Sequence, residues 1–301
     1  MNIKEFLERE KIGEIKIDEE LKFHTTYKVG GKCDYYISPS NIEKLIVLLK
    51  FLKNNNIKYK VLGNGSNVII SSKKYDGVII SLNKLNEVAI DGDIVKAGAG
   101  VPIIKLSNMC ANNNLGGLEF ASGIPASVGG AVYMNAGAYK SDMSEVLTTV
   151  TFIDEKLNIV TAEKDKLDFS YRHSIFQDKD YIIVGASIKL YKENKDEILT
   201  LMNTRRQKRI DSQPLEYPSA GSVFRNPSEN IFSGKLIEDL GLKGYSIGGA
   251  KISEKHANFI VNYNNATGED IESLIKFIKD KVKEKYEIEL KVEQEFVNFG
   301  E

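Results

Sequence analysis

Cysteine and histidine are scarce in this 301-residue chain. Cys33 and Cys110 stand alone, with no CxxC pair, and His24, His173 and His256 are too dispersed to form a zinc site. A disulfide scaffold and a metal centre are therefore not expected, and the two thiols are expected to be reduced and semi-buried. No run approaches the ~18 apolar residues needed to span a bilayer. The opening MNIKEFLERE carries a charge every second or third residue in place of the apolar core of a signal peptide. The protein is accordingly expected in the cytoplasm. Net charge is also lacking: 41 Lys plus Arg against 42 Asp plus Glu leave −1, which argues against a surface built to coat nucleic acid or an anionic membrane. Proline numbers only 6, whereas glycine reaches 24, and the glycines are clustered. With 42% hydrophobic and 28% charged residues the chain reads as soluble and globular. Its length allows about two domains.

The pattern along the chain is mixed. Ser40-Asn41-Ile42-Glu43 reads as a capping box, followed by Ile42, Leu45, Ile46, Leu49 and Leu52 at helical spacing and a stop at Asn54–Asn56. Short strand-like runs at 59–62, 67–71, 77–82 and 94–97 are bounded by Gly, Asn or Asp. A helix is expected from Pro102 to about Asn113, with proline at the first turn where its missing N–H costs nothing. Strands follow at 150–153 and 181–191, then a charged helix at 195–210 that looks like a hinge. Beyond it come a helix near 235–240, a strand near 256–263 and a helix over 269–286. That last helix turns Ile271, Leu274, Ile275, Ile278 and Val282 inward. A terminal strand is expected over 288–299. The order argues for an α+β protein, with a division into two domains, 1–195 and 196–301, at the charged helix.

Five segments carry possible chemistry. Gly63-Asn64-Gly65-Ser66-Asn67 is a GxGSN loop between two strands. A Rossmann fingerprint needs a third glycine opening a helix, and here a strand follows. The loop reads either as an anion nest of convergent N–H groups or as a plain hairpin turn. Between Gly98 and Ala138 fall eight glycines and only two charged residues, Lys105 and Glu119. Within that stretch, 121–139 is so poor in side chains that it can bring backbone N–H groups against a phosphate or a flat ring. Tight backbone-on-backbone packing is the alternative. Two such loops about sixty residues apart suit a cofactor containing a diphosphate. In Ser170-Tyr171-Arg172-His173-Ser174 the arginine, standing alone, reads as a surface cation. In 218–227 Ser222 is either a turn residue or a proton relay. No GxSxG elbow supports a hydrolase. Glu293 and Glu295 fall on one face of the terminal strand.

In this order the segments resemble the UDP-N-acetylenolpyruvoylglucosamine reductases, flavoenzymes of peptidoglycan precursor synthesis. The resemblance is carried by 24–31 (HTTYKVGG), the GxGSN loop, 123–139, 171–174, 220–227, 247–250 and the terminal strand. It implies an α+β fold with a two-lobed FAD-binding domain of the vanillyl-alcohol oxidase type, its lobes split near 55–60, and a smaller α+β substrate-binding domain. It also implies non-covalent FAD, NADPH as hydride donor, and reduction of UDP-N-acetylglucosamine enolpyruvate to UDP-N-acetylmuramate. Arg172 would hold the substrate carboxylate, Ser222 would donate a proton, and Glu293 would be the third catalytic residue. A two-residue slip in register would select Glu295. Gly63, Asn64, Gly65, Ser66, Asn67, Gly123, Ile124, Pro125, Ser127, Gly129, Gly130, Asn135 and Gly137 match cofactor-binding positions. Tyr171 and Asn226 match substrate positions, and His256 stands where other members carry glutamine. The short 224–240 region places the chain with the compact branch, which lacks an inserted tyrosine-bearing loop. Partners are expected to be small molecules only, with the chain acting as a monomer. Two rivals are a different flavin oxidoreductase on the same fold, such as an oxidase of alcohols or sugars, and a nucleotide-sugar binder without redox chemistry, which has no use for a second diphosphate cradle.

Overall fold

The structure, a computed structural model, describes residues 3–300. It comprises two compact units. The first is formed by Met1–Ile17, Tyr35–Asn64 and Asp76–Gln207, the second by Asp18–Asp34, Gly65–Tyr75 and Lys208–Glu301. The division drawn from the sequence at 195/196 falls at the start of the Lys195–Ser212 helix, whereas the units change over inside that helix. Two early segments join the C-terminal part because their backbone pairs there. Strand Val68–Ile70 lies parallel to Glu295–Val297, and Tyr27 bonds to Gln294.

The first unit holds the greater part of a four-stranded sheet, ordered Gly13–Glu20, Lys32–Pro39, Tyr75–Ser81, Tyr59–Leu62. It also holds a five-stranded antiparallel sheet, ordered Ile159–Glu163, Leu147–Ile153, Ile182–Lys189, Ile94–Gly98, Val88–Asp91. Helix Ile42–Asn54 buries Leu45, Leu48, Leu49 and Leu52 in a core shared with Val78, Ile80, Val95 and Ile103. Its N-cap is Asn41, whose side chain accepts the Lys44 N–H at 2.8 Å. The capping box expected from Ser40 does not form, because the Ser40 N–H already donates to the Ile12 carbonyl at 2.9 Å. Pro102 serves as N-cap of helix Ile103–Asn112. Cys33 and Cys110 are free thiols and fully buried, more so than expected.

The second unit packs helix Gly268–Tyr286 against an antiparallel sheet of Ser246–Ile247, Ala250–Ile252 and Ile260–Asn262. Ile271, Leu274, Ile275, Ile278 and Val282 are all buried, as their spacing requires. A true capping box, Thr267 with Asp270, starts this helix. The terminal strand is shorter than expected: only Glu295–Val297 pair. Upstream, a single bridge joins Val292 to Phe224, and the chain bends at Gln294. Glu293 and Glu295 are therefore not successive same-face residues of one strand.

Candidate active site

Strand Tyr59–Leu62 delivers the GxGSN loop and strand Val68–Ile70 receives it, but the loop is no hairpin. The first strand pairs in parallel with Tyr75–Ser81 and the second in parallel with Glu295–Val297. Gly65 has φ +61°, and a Cβ there would overlap the His24 carbonyl oxygen, so only glycine fits. Its own carbonyl accepts the Thr26 N–H at 3.0 Å. The exposed Asn64 donates from Nδ2 to the Pro125 carbonyl at 3.3 Å, and a Cβ on Gly63 would come within 3.0 Å of Ser127 Oγ. The first unit thus brings Gly63 and Asn64 against Pro125 and Ser127, the two glycine-bearing loops meeting side by side. Ser66 stays half-buried, and Asn67 spends its Nδ2 on the Glu293 carbonyl at 3.1 Å.

The glycine-rich stretch divides its labour. Ser127 caps helix Val128–Tyr133 by accepting the Gly130 N–H at 3.2 Å. The Val128 and Gly129 N–H groups donate to the Val101 and Ala99 carbonyls at 2.8 and 2.9 Å. A Cβ on Gly129 would lie 2.9 Å from Ala99 Cβ. At Gly129, then, the bare backbone serves close packing, and its amide is not aimed at a ligand. Gly123 and Ile124 are half-buried and Pro125 is exposed. Asn135 sits at φ +41° and is buried. Its Oδ1 accepts the Ser144 N–H and its Nδ2 donates to the Ser170 carbonyl, both at 3.0 Å. Asn135 is thus a brace between two loops.

That brace holds the turn carrying Tyr171 and Arg172. Ser170 and His173 exchange backbone bonds of 3.1 Å, closing a tight loop in which Arg172 takes φ +57°. Gln177 Nε2 donates to the Arg172 carbonyl at 3.0 Å. A left-handed arginine costs of order 1–3 kcal/mol and persists only where its surroundings fix it. The guanidinium donates from Nη2 to the Gly137 carbonyl at 2.7 Å and lies 5.1 Å from the centroid of the exposed Tyr171 ring. A Cβ on Gly137 would overlap the Ser141 carbonyl of the ribbon facing it. Gly137 thereby presents a bare backbone carbonyl to the arginine.

In the second unit Ser222 follows Gly221, which has φ +77°. Asn258 grips the residues after it: its carbonyl accepts the Val223 N–H, its Oδ1 accepts the Phe224 N–H, and its Nδ2 donates to the Phe224 carbonyl, at 2.9, 3.0 and 2.9 Å. Glu293 donates its N–H to the Val223 carbonyl at 2.8 Å, and Glu295 donates its own to the Asn67 carbonyl at 2.9 Å. Both glutamates are half-buried. Asn226 Oδ1 accepts the Ser233 N–H at 3.2 Å. His256 Nδ1 accepts the Asn258 N–H at 3.2 Å, and its ring stands edge-on to Phe259. Burial, helped by the charge of Lys243, holds the imidazole pKa below its ordinary value, so the ring is neutral at pH 7. Sequence reading missed Asn258 and Gln294. An asparagine inside the apolar run at 257–261 was a signal for the first. A glutamine between two glutamates gave none for the second.

Comparison with known proteins decides the family. Residues 213–297 match the model of the UDP-N-acetylenolpyruvoylglucosamine reductase C-terminal domain, and residues 33–163 match an FAD binding domain. A UDP-N-acetylenolpyruvoylglucosamine reductase of Clostridium botulinum (strain Okra / Type B1) is 45% identical over 279 residues, 93% of this chain and 91% of its own. One from Caldanaerobacter subterraneus subsp. tengcongensis is 44% identical over 287 residues, 95% of each chain. This chain belongs to the UDP-N-acetylenolpyruvoylglucosamine reductase family. The crystal structure of the Thermus caldophilus reductase matches with a TM-score of 0.80 at 32% identity, covering 94% of this chain and 98% of that one. The expected α+β fold with an FAD-binding domain is borne out. Within the reductase family's C-terminal match lie Ser222, Asn226, His256, Glu293 and Glu295; the FAD-domain match spans Gly63 to Gly137. Tyr171 and Arg172 fall between the two. Among the described residues no helix is long and apolar enough to cross a membrane.

Proposed function

We propose that this chain reduces UDP-N-acetylenolpyruvoylglucosamine to UDP-N-acetylmuramate with NADPH and non-covalent FAD, supplying the precursor of peptidoglycan. The observation that carries the reading is the pair of abutting loops, Gly63–Asn64 on Pro125–Ser127, in a chain of this family. Gly63 and Asn64 are exposed where the two loops meet, and the bare Gly63 backbone there fits a dinucleotide lying close to it. Gly63, Asn64, Pro125 and Ser127 would hold the cofactor, with Gly65, Ser66, Gly123 and Ile124 flanking them. Gly129, Gly130, Asn135 and Gly137 support that cradle from behind, and Asn67 ties the loop to Glu293. We assign FAD to the N-terminal domain and the UDP-sugar to the C-terminal one.

FAD held by Gly63, Asn64, Pro125 and Ser127 would supply two-electron chemistry, making the reducing equivalents of NADPH available as hydride to the terminal carbon of the enolpyruvyl group. Negative charge then builds on the neighbouring carbon and its carboxylate. Arg172, already fixed on the Gly137 carbonyl, holds that carboxylate as a preorganised cation, with Tyr171 beside it on the substrate. The Ser222 hydroxyl donates the proton that completes the new C–H bond. A serine is a poor acid near neutral pH, but it can serve here because the acceptor carbon is strongly basic. Glu293 is the carboxylate member of the set, supported by its N–H bond to the residue after Ser222. Asn226 contacts the substrate. The protein acts in the cytoplasm as a monomer, on small molecules alone.

Anaerobic stopped-flow of the two half-reactions tests this. Ser222→Ala is expected to leave flavin reduction by NADPH fast and to slow reoxidation by the enolpyruvyl substrate. Equal loss in both halves refutes the proton-donor role. Glu293→Gln is expected to stop reoxidation while Glu295→Gln does not; the reverse result moves the catalytic carboxylate to Glu295.

A further inference from the structure

Tyr27 lies in the HTTYKVGG segment, to which the mechanism gives no role. Its side chain is fully buried, and its hydroxyl donates to Gln294 Oε1 at 3.2 Å. Gln294 is also buried, and its Nε2 faces three successive carbonyls: Ala220 at 3.0 Å, Gly221 at 3.3 Å and Ser222 at 3.4 Å. The left-handed turn at Gly221 presents all three to one amide.

The polarity of these groups allows a single arrangement. An amide oxygen only accepts and an amide nitrogen only donates, while three backbone carbonyls offer acceptors alone. Turning the Gln294 amide over would set its oxygen against those carbonyls and leave buried groups unpaired, which is costly. Burial holds the Tyr27 phenol protonated, so it stays a donor toward Oε1. The Tyr27 backbone is anchored from the other side, its carbonyl accepting Asn262 Nδ2 at 3.0 Å. Gln294 also follows Glu293, whose own N–H and carbonyl are tied to Val223 and Asn67.

We infer that Tyr27 and Gln294 are positioning residues for Ser222, fixing the backbone of the turn that carries the proton donor and acting on proton transfer but not on flavin reduction. This rests on the reading of Ser222 given above. Neither residue is argued to touch substrate; both act through the turn.

The test uses the flavin-loaded full chain in anaerobic stopped-flow, with NADPH and then UDP-N-acetylglucosamine enolpyruvate, on Tyr27→Phe, Ser222→Ala and the double variant. Tyr27→Phe keeps the ring and deletes one hydrogen bond. It is expected to slow reoxidation about tenfold, the rate equivalent of one such bond, with flavin reduction within about twofold of wild type. The solvent isotope effect on reoxidation should rise, and in the Ser222→Ala background Tyr27→Phe should cost nothing further. Gln294→Met, read by the same criteria, decides the matter if Tyr27→Phe loses its flavin or fails to fold. The inference is overturned if reoxidation is unchanged, if both half-reactions fall together, or if Tyr27→Phe slows the Ser222→Ala enzyme by the same factor. If Ser222→Ala itself reoxidises at the wild-type rate, the proton-donor reading falls, and this inference with it. If Ser222→Ala is slow and Tyr27→Phe is not, only the positioning role falls.

Discussion

Replacing Asn135 with alanine removes both bonds of the brace behind Arg172 while leaving no backbone group stranded. The Ser144 N–H keeps its bond to Asp142 Oδ1 at 3.0 Å, and the Ser170 carbonyl keeps the His173 N–H at 3.1 Å. Each lost bond is therefore worth its net value, about 1 kcal/mol, without a penalty for a buried orphan. Alanine at φ +41° adds about 1 kcal/mol, since asparagine tolerates the left-handed region better. The sum is about 3 kcal/mol. On a unit of this size that corresponds to a melting midpoint lowered by about 6–12 °C. Asn135→Gly loses the same two bonds but no conformational comfort, so it should be the more stable variant by about 1 kcal/mol, the reverse of the usual order. Differential scanning calorimetry of the three proteins reads these values. Function should follow: with Ser170 loosened, Arg172 is less well placed, and reoxidation by the enolpyruvyl substrate should slow on the order of tenfold. If the alanine variant melts at or above the glycine variant, or within a degree of wild type, Asn135 is not a brace.

Gly65→Ala is expected to abolish flavin retention, because its Cβ would strike the His24 carbonyl. Gly92→Ala shares φ +61° but meets open space, so it should cost only about 1 kcal/mol in melting and keep its flavin; equal behaviour of the two refutes the steric reading. Burial pushes the Cys33 and Cys110 thiols up to about 11 and about 12. Both should thus resist iodoacetamide at pH 8 until the chain is unfolded, as counted by mass spectrometry; rapid labelling of the native protein overturns this. His256 has a depressed pKa, so below its ordinary value of 6.5 the unfolded chain takes up the proton first and stability falls with pH. Denaturation of His256→Gln should show less loss of stability over that acid window than wild type does, and an identical pH dependence refutes the assignment.

The sequence was most legible where structure is local. The 3.6-residue spacing of Ile271, Leu274, Ile275, Ile278 and Val282 found its helix, since one face must be buried whatever it meets. Local patterns misled wherever a remote group had already claimed an atom. Ser40-Asn41-Ile42-Glu43 has the letters of a capping box, yet Ile12 holds the Ser40 N–H and the cap moves to Asn41. The alternation over 288–299 has the letters of a strand, yet Gln294 is drawn out of register by a tyrosine 267 positions away in the chain. No window of neighbouring residues contains that information.

The glycine-rich loops show the same limit at the site itself. A cluster of glycines announces that something must approach the backbone, but a ligand and another stretch of chain make the same demand. Hydrogen-bond accounting separates them. The Gly129 amide is satisfied by Ala99, the Gly130 amide by Ser127 Oγ, and both polar atoms of the Asn135 side chain are engaged, Oδ1 with Ser144 and Nδ2 with Ser170. On the cofactor site proposed above, these residues would shape the cradle without facing what lies in it. Gly63 and Asn64, beside the exposed Pro125, would be left to meet the cofactor. On that reading fewer backbone amides would address the dinucleotide than the glycine count suggests. Substitutions at Gly129 or Asn135 should accordingly lower stability and flavin affinity together, whereas a change at Asn64 should weaken flavin binding with little effect on melting of the flavin-free protein.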